Sequence, residues 1–246
     1  MNLDEVIVET TRRCNMKCGH CLRGKAENKE MSKSHINNFL RQVNYMHSIT
    51  FTGGEPTLPS GLKIINYFLE ACHVYKVNIG NFYIVTNAKV WRPELPKLIS
   101  KLYYYCSEND ISAISISGDE YHEQVGRTSF KYKLEDAFEL MGISIDIDVR
   151  STFPTTRILN EGRGKQYGSN RFVRKPEISI EYEDEEDYSN FCVTEGELYL
   201  NCEGNIISGC DWSYESQRLS RNIICKASDN IKKALIKRAM NIFCYA

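Results

Sequence analysis

Three cysteines lie within eight residues near the start of the chain and could bind a metal cluster. Cys14, Cys18 and Cys21 form a C-x3-C-x2-C array directly after a predicted first strand. Cysteine thiolates are the ligands of iron–sulfur clusters. A [4Fe-4S] cluster has four irons, so three thiolates leave one iron open to a substrate or cofactor, as at a catalytic metal site. The array therefore predicts a cluster with an open position.

Two other structures could explain the same triplet. Positions 14, 18 and 21 share one face of a helix, but Asn15 and Gly19 between them are poor helix formers. A zinc site would need a fourth ligand. His20 lies between two of the cysteines, but no fourth ligand with suitable spacing is nearby. The spacing therefore favours the iron–sulfur cluster.

The composition is that of an ordinary soluble globular protein. Of 246 residues, 42% are hydrophobic and 26% are charged, and a net charge of −1 gives no argument for binding nucleic acid or a membrane. No run approaches the ~18 apolar residues of a membrane span, and the first residues lack the order of a signal peptide. We therefore expect a cytoplasmic protein, whose ten cysteines indicate metal binding or catalysis rather than disulfides.

The rest of the chain alternates between strand and helix patterns. Apolar residues at helical spacing predict four helices between the strands, the first capped by Ser32 or Ser34 and the second entered through Pro59. This alternation predicts an α/β fold of parallel units, and six strands fit a partial (β/α)6 TIM-like barrel better than a complete one. The predicted strands are residues 5–11, 48–52, 82–87, 112–117, 144–151 and 177–183.

A charge reversal marks a boundary after the fifth strand. Residues 157–175 are rich in Arg and Lys, whereas residues 181–187 carry six acids. We therefore divide the chain into a core, 1–176, and a C-terminal extension, 177–246. The basic stretch could contact a phosphate or an acidic peptide, but a solvated loop neutralised by the acids is the simpler interpretation.

The extension carries a predicted β-hairpin and a final helix. The hairpin, residues 197–208, consists of two short β-rich runs around a Gly-Asn turn. The helix pattern predicts Asp229 as the N-cap, with Ile231, Leu235 and Met240 on one face.

A second motif, Thr52-Gly53-Gly54-Glu55-Pro56, follows the second predicted strand. Together with the cysteine array, it resembles the radical S-adenosylmethionine (SAM) superfamily over roughly residues 4–165. The resemblance implies that SAM binds the open iron through its amino and carboxylate groups. One electron from the reduced cluster would then cleave SAM to methionine and a 5′-deoxyadenosyl radical, which abstracts hydrogen from a substrate.

The resemblance also assigns roles to individual residues. The cysteine array matches the cluster ligands, and Gly53, Gly54 and Glu55 match the GGE segment that holds the methionyl amino group. Glycines permit close backbone approach to a small ligand, and backbone carbonyls or a carboxylate can accept from an ammonium. His20 stands where the family usually carries an aromatic residue near the adenine. The full set of expected SAM contacts outside the GGE segment is His20, Thr86, Asn87, Ser115, Ser117, Asp119, Arg150 and Arg163.

These motifs share one position relative to the predicted strands. The cysteine array, GGEP, Thr86-Asn87, the SGDEYH segment and Arg150-Ser151 each follow the C-terminal end of a successive strand. Active sites of barrel enzymes are built at that face. Three residues after the fourth strand could face the substrate: Tyr121, His122 and Glu123.

Five further cysteines lie in the extension. Two of them bracket the hairpin, which resembles the first half of a twitch or SPASM extension, where such cysteines hold an auxiliary iron–sulfur cluster. The spacing from Gly204 to Cys210 is one residue longer than usual, and no CxxC pair follows, so Cys225 and Cys244 would have to serve. The alternatives are therefore buried thiols that pack as small hydrophobic groups, or a second cluster. The candidate ligands of that cluster are Cys192, Cys202, Cys210 and Cys225.

The resemblance implies the first half-reaction and leaves three functional hypotheses open. The first is modification of a ribosomal peptide or protein, which the hairpin favours. The second is dehydrogenation or rearrangement of a small molecule such as a sugar, an aminocyclitol or a nucleotide. The third is a non-catalytic iron–sulfur protein for electron transfer or sensing, which would have no need of the GGEP motif. Under either of the two enzyme hypotheses, the protein would use an external electron donor such as flavodoxin or ferredoxin.

Overall fold

The computed structural model describes residues 1–122, 127–150, 158–168, 171–173, 178–182 and 191–243. Within them, strands alternate with helices in the first part of the chain, and strands predominate afterwards. The strands are β1 (Asn2–Thr11), β2 (Tyr45–Gly53), β3 (Asn78–Thr86), β4 (Ala113–Ser117), β5 (Asp146–Arg150), β6 (Ser179–Tyr182), β7 (Phe191–Leu200), β8 (Asn205–Ser208) and β9 (Ile223–Lys226). The helices are α1 (Lys33–Leu40), α2 (Pro59–Tyr75), α3 (Glu94–Tyr105), α4 (Arg127–Met141) and α5 (Ile231–Phe243).

The first five strands form a parallel sheet in the order β5-β4-β3-β2-β1. Val6, Ile49 and Phe82 lie side by side on neighbouring strands and are buried in one core with apolar residues of the helices. Successive side chains of a strand point to opposite faces. The other face therefore carries Thr50 and Tyr83, which line a cleft.

The starts of the first two helices follow from local sequence. Ser32 caps α1, because its side-chain oxygen accepts from His35 N at 3.2 Å. Pro59 is the first residue of α2, where its missing N–H leaves no intrahelical hydrogen bond unmade. Both helix starts agree with the sequence pattern. Of the two serines proposed as the cap, Ser32 is the one that caps α1.

The sixth predicted strand does not continue the parallel sheet beyond β5. It forms β6, which pairs antiparallel with β7 on the other side of β1. β7 in turn runs parallel to β1, with Val6 opposite Leu198. The predicted place of the sixth strand was therefore wrong. β1 is not an edge strand, because β7 pairs with its second side and satisfies the backbone groups there, and β6 pairs with β7. The α/β class is confirmed, with a mainly parallel sheet that does not close among the described residues.

The extension adds antiparallel strands to the same sheet. The predicted hairpin forms from β7 and β8, with Tyr199 opposite Ile207, and β9 pairs with β8. Because β7 also pairs with β1, the extension and the core share hydrogen bonds across one sheet. The predicted boundary at residue 176 falls outside the described residues.

The last helix differs from its prediction at two positions. Asn230, not Asp229, is the cap: its Oδ1 accepts from Lys233 N at 2.9 Å, whereas Asp229 accepts from the backbone N–H of Lys226. Ile231 and Leu235 are fully buried, but Met240 is 60% exposed. At about 100° per residue, Met240 lies half a turn around the helix from Ile231. None of the described helices is long and apolar enough to cross a membrane.

Candidate active site

A cleft of about 1180 Å³ lies on one face of the sheet and reaches the C-terminal ends of the parallel strands. Its walls bring together residues from β1, β2, β3, β4 and β5 and from the loops that follow them. Most of the predicted site residues line it: Cys14, Cys18, His20, Cys21, Gly53, Gly54, Glu55, Thr86, Asn87, Ser117, Asp119, Arg150 and Arg163.

The cysteine loop, residues 13–26, is closed by a short ladder of backbone hydrogen bonds. Arg12 N donates to Lys29 O at 2.8 Å, and Met31 N donates to Thr10 O at 3.0 Å. We call residues 10–12 and 27–31 the neck of the loop. The neck fixes both ends of the segment that carries the cysteines.

Arg12 places a fully buried charge in the neck. Its guanidinium donates to Glu9 at 2.6 Å, to Glu27 at 3.0 Å and to Gln217 at 2.7 Å, and Glu203 lies 3.2 Å away. A buried guanidinium needs such partners, because an unpaired buried charge is very costly. No sequence signal predicts this network, since Glu203 and Gln217 are 191 and 205 positions from Arg12.

The glycines of the GGE segment let it lie against the end of β1. Gly54 N donates to Thr11 O at 2.7 Å, and Glu55 N donates to Arg13 O at 2.9 Å. A Cβ atom at Gly53 would collide with Thr11 O, and one at Gly54 with Arg13 O. Gly53 also has a φ of +136°, which favours glycine. The glycines therefore serve the approach of two backbone segments, a reason that the ligand-based prediction did not include.

The buried Glu55 carboxylate ties the loop after β2 to the end of β3. It accepts from Thr57 Oγ1 at 2.5 Å, from Thr86 Oγ1 at 2.8 Å and from Asn87 N at 2.8 Å. Burial raises the pKa of Glu55, although these hydrogen bonds oppose the shift. Because protein donors already occupy this carboxylate, the backbone carbonyls of the GGE segment are the better acceptors for an ammonium.

The end of β3 also holds the cysteine loop. Asn87 Nδ2 donates to Asn15 Oδ1 at 2.8 Å, and Lys89 Nζ donates to Asn15 O at 3.0 Å. The same Asn87 amide lies 3.9 Å from Cys14 Sγ. The predicted Thr86-Asn87 pair thus contacts both Glu55 and the first cysteine.

A 3-10 helix, Gly162–Tyr167, supports the loop from the other side. Arg163 Nε donates to Cys18 O at 2.8 Å, and Arg163 N donates to Cys21 O at 2.9 Å. Arg163 is therefore bonded to the cysteine loop itself rather than extended into solvent. Its position in the cleft agrees with the sequence prediction, and its backbone contact is an addition to it.

The three thiols of the array are free and half-buried. Burial and the nearby thiols of Cys21 and Cys14 raise the pKa of Cys18 to about 11. Iron binding would therefore have to displace protons, as is usual for thiolate ligands. Three thiols that face one cleft, on a loop with fixed ends, fit a cluster held by three thiolates.

Asp119 joins two histidines beside these thiols. His122 Nδ1 donates to Asp119 Oδ1 at 2.5 Å, and His20 Nε2 lies 3.4 Å from Oδ2. Burial alone would raise the pKa of Asp119, but hydrogen bonds from His122 and His20 hold it well below its usual range. His122 Nε2 lies 3.4 Å from Cys18 Sγ. The sequence places Asp119 and His122 after β4 but does not predict this contact, which joins residues 104 positions apart.

The remaining predicted site residues have varied positions. Ser117 and Arg150 line the cleft, and the Arg150 guanidinium lies 5.2 Å from the centre of the Tyr83 ring. Ser115 is fully buried and is not part of the cleft wall, and its Oγ has no hydrogen-bond partner among the described residues. His20 stacks on Tyr121, with ring centroids 4.2 Å apart. Two predicted residues, Ser151 and Glu123, lie outside the described part of the chain.

The described cysteines of the extension have different surroundings. Cys202 and Cys225 are buried in the main hydrophobic core, and Cys202 Sγ donates to Glu9 O at 3.2 Å. Cys210 lines the cleft, and its carbonyl accepts from Arg23. The side chain of Cys192 and the whole of Cys244 lie outside the described residues.

The family model for the Radical SAM superfamily matches residues 8–160, more than half of the chain. The chain belongs to the radical SAM superfamily. The matched region of this radical SAM protein holds the cysteine array, the GGEP motif and Asp119.

One curated protein and two solved structures of a second protein are similar to this radical SAM protein. Uncharacterized protein MJ0907 of Methanocaldococcus jannaschii is 30% identical over 104 residues, which are 41% of this chain and 36% of that protein. The alignment thus spans about a third of the length of this curated relative. Two solved structures, native anSMEcpe with bound AdoMet and the Cp18Cys or Kp18Cys peptide, align over 98% and 99% of this chain and 82% of theirs. Their TM-score is 0.61, and at 13% and 14% identity the likeness is one of fold.

Proposed function

We propose that this radical SAM protein binds a [4Fe-4S] cluster through Cys14, Cys18 and Cys21 and cleaves SAM at the open iron. When bound, the reduced cluster supplies the electron that splits SAM into methionine and a 5′-deoxyadenosyl radical able to take hydrogen from a substrate. One observation carries the proposal: the three free thiols and the GGE backbone line the same cleft, tied by the hydrogen bond from Glu55 N to Arg13 O.

The protein's own groups would orient SAM rather than react with it. The GGE carbonyls would accept from its ammonium, while the Glu55 carboxylate keeps that segment in place through Thr86 and Asn87. Ser117, on β4, lines the cleft and could contact the remaining polar groups of SAM. Such fixed donors and acceptors hold reacting groups in a productive geometry.

We further propose a peptide substrate. The two solved structures of similar fold are described with bound peptides. The cleft here continues from the cysteines across the sheet to Asp148 and Arg150 on β5 and to Glu197 on β7. A long groove with acidic and basic side chains suits a peptide, whose backbone and side chains offer many polar groups.

An external protein would supply the electron, and one cluster would suffice. The cysteine loop carries two exposed lysines, Lys17 and Lys25, which favour an acidic donor such as a flavodoxin or ferredoxin. A second cluster is not part of the proposal, because Cys202 and Cys225 are packed in the core. Anaerobically reconstituted protein should therefore bind about four irons rather than about eight.

The central experiment measures 5′-deoxyadenosine in reconstituted protein supplied with SAM and dithionite. Cys18→Ala should lose both the visible absorbance of the cluster and this product. Cys106→Ala is the matched control. Cys106 is a buried free cysteine at the end of α3 and does not line the cleft, so this variant should retain both the absorbance and the product. A Cys18→Ala variant that keeps cluster and product contradicts the proposal.

The substrate class can be tested without knowing the substrate. Protein and small-molecule fractions would be prepared separately from cells grown in deuterated medium, and each would be added to the reaction. Deuterium in 5′-deoxyadenosine, measured by mass spectrometry, should come from the protein fraction. Transfer from the small-molecule fraction alone would overturn the peptide assignment and favour a sugar or nucleotide.

A further inference from the structure

His122 lies against a cluster ligand although it belongs to a different part of the chain. Its Nε2 is 3.4 Å from Cys18 Sγ, within the range of a hydrogen bond to sulfur. The residue lies in the short 3-10 helix Glu120–His122, directly after β4, and its side chain is almost fully buried. The imidazole therefore has a fixed position beside the sulfur.

Asp119 fixes the orientation of this imidazole. The carboxylate accepts from His122 Nδ1 at 2.5 Å and from the backbone N–H of Tyr121 at 3.0 Å. With Nδ1 bound in this way, Nε2 is the ring atom that faces the sulfur. A carboxylate that accepts from one ring nitrogen fixes the orientation of an imidazole, as carboxylates do for histidines that bind metals directly.

A thiolate bound to iron carries no hydrogen. In the loaded protein, the hydrogen of the contact must therefore be on Nε2, and the imidazole must be the donor to sulfur. Hydrogen bonds to cluster sulfurs raise the reduction potential, because they stabilise the more negative reduced state.

We propose that His122, oriented by Asp119, is a positioning residue that donates a hydrogen bond to the Cys18 sulfur and raises the reduction potential of the cluster. The inference rests on the proposed function, since it assumes a cluster at the cysteine array. It concerns the ease of reduction rather than the binding of SAM. The electron needed for SAM cleavage would therefore be accepted more readily than by the same three thiolates alone.

The test is a redox titration of the reconstituted cluster, followed by electron paramagnetic resonance in the absence of SAM. His122→Leu removes the donor and keeps an apolar group of similar size. At a fixed potential near the midpoint, we expect about a tenfold fall in the ratio of reduced to oxidised cluster, which for one electron is about 59 mV. His122→Gln keeps an N–H near the Nε2 position and should recover much of the difference.

His47→Leu is the matched control. His47 also pairs with a carboxylate, Glu108, but it is at the start of β2, outside the cleft wall. It should leave the potential unchanged. A His122→Leu protein with a full complement of iron and a wild-type potential would overturn the inference, as would an equal shift in His47→Leu.

Two outcomes need separate interpretation. If His122→Leu binds no iron, the same redox titration is made on Asp119→Asn, which weakens the hydrogen bond that orients the His122 ring. A cluster potential below that of the wild-type protein supports the inference. An unchanged cluster potential overturns it. If the wild-type protein itself binds no cluster, the proposed function fails. If the wild-type protein binds a cluster and cleaves SAM but the variant has the same reduction potential, the proposed function stands and only the role of His122 fails.

Discussion

The two sides of the cysteine loop have different surroundings. On the neck side, Arg12 is fully buried and every neighbour is a fixed partner: Glu9, Glu27, Glu203 and Gln217. On the cleft side, the three cysteines are half-buried free thiols. Arg163 holds the backbone of Cys18, and the sulfurs of Cys14 and Cys18 each have one long contact, from Asn87 and His122. The neck uses its polar groups completely, whereas the cleft side keeps its ligand atoms available.

This difference separates stability from chemistry within one short segment. Bonded groups in the neck contribute to folding, because breaking them leaves buried charges without partners. Polar groups in the cleft position the thiols and backbone carbonyls that would bind the cluster and SAM. Substitutions in the neck should therefore lower stability first, and substitutions in the cleft should lower cluster or SAM binding first.

The largest expected effect is in the neck. Arg12→Met keeps a long apolar side chain but leaves Glu9 without its buried cation. We expect a loss of about 3–5 kcal/mol in the free energy of unfolding, measured with urea. Arg13→Met is the adjacent control: Arg13 is half exposed and pairs with Glu30 at 3.1 Å, so its loss should stay below about 1 kcal/mol. Equal losses in the two variants would break the comparison.

A smaller effect is expected where the two sides meet. In Gly54→Ala, the new methyl group runs into the Arg13 carbonyl. The strain should cost about 1–3 kcal/mol and displace the first residues of the cysteine loop, so reconstitution should yield less bound iron. Gly142→Ala is the control. It has a φ of +65° and open space around it, so it should lose about 1–2 kcal/mol from its backbone conformation and keep its iron.

The next effect is confined to the cleft. Thr86→Val preserves shape and removes one of the donors to Glu55. We expect a loss of about 1–2 kcal/mol in stability, with SAM affinity reduced and iron content unchanged, because the hydrogen bonds of Thr86 Oγ1 join it to Glu55, Thr57 and the backbone of Ala88. Equilibrium dialysis with labelled SAM gives the affinity. A variant that loses iron and SAM together would argue against the separate roles.

The smallest effect is a dependence on acid. Burial opposes the shift, but hydrogen bonds from Lys29 and Arg218 hold the pKa of Glu203 below its usual value of 4.5, and Arg218 and Arg12 do the same for Glu27. The unfolded chain therefore takes up protons first as pH falls below about 4.5. The stability from these groups is present above that pH and is lost as pH falls through their lowered pKa values. The free energy of unfolding, measured between pH 7 and pH 3, should fall less steeply in Glu203→Gln than in the wild-type protein.

Much of the cleft side could be predicted because its signals are local. The cysteine spacing and the GGEP motif each occupy a few residues, and each follows a strand of clear β pattern. In the structure both motifs line one cleft. The helix starts at Ser32 and Pro59 were equally local. Where the pattern was ambiguous by one residue, as at Asp229 and Asn230, the local prediction was wrong.

The neck could not be predicted because its partners are far apart in sequence. Neither Glu203 nor Gln217 belongs to a motif, and only the pairing of β7 with β1 brings them to Arg12. The position of β6 was missed for the same reason, since a β-rich run does not specify its neighbour. The contact of His122 with Cys18 depends on the turn after β4, which sequence periodicity does not describe.

The central position of β1 has a consequence for the order of assembly during synthesis. Among the described strands β1 is translated first, yet one of its two neighbours, β7, is translated after all five parallel strands. Pairings between distant segments form late, because they must first overcome the entropy of closing a long loop. Until then the neck lacks Glu203 and Gln217, and the loop that carries the cysteines is held at fewer points. Iron delivered to a nascent chain would meet an unfinished site, so cluster insertion should follow the docking of β7.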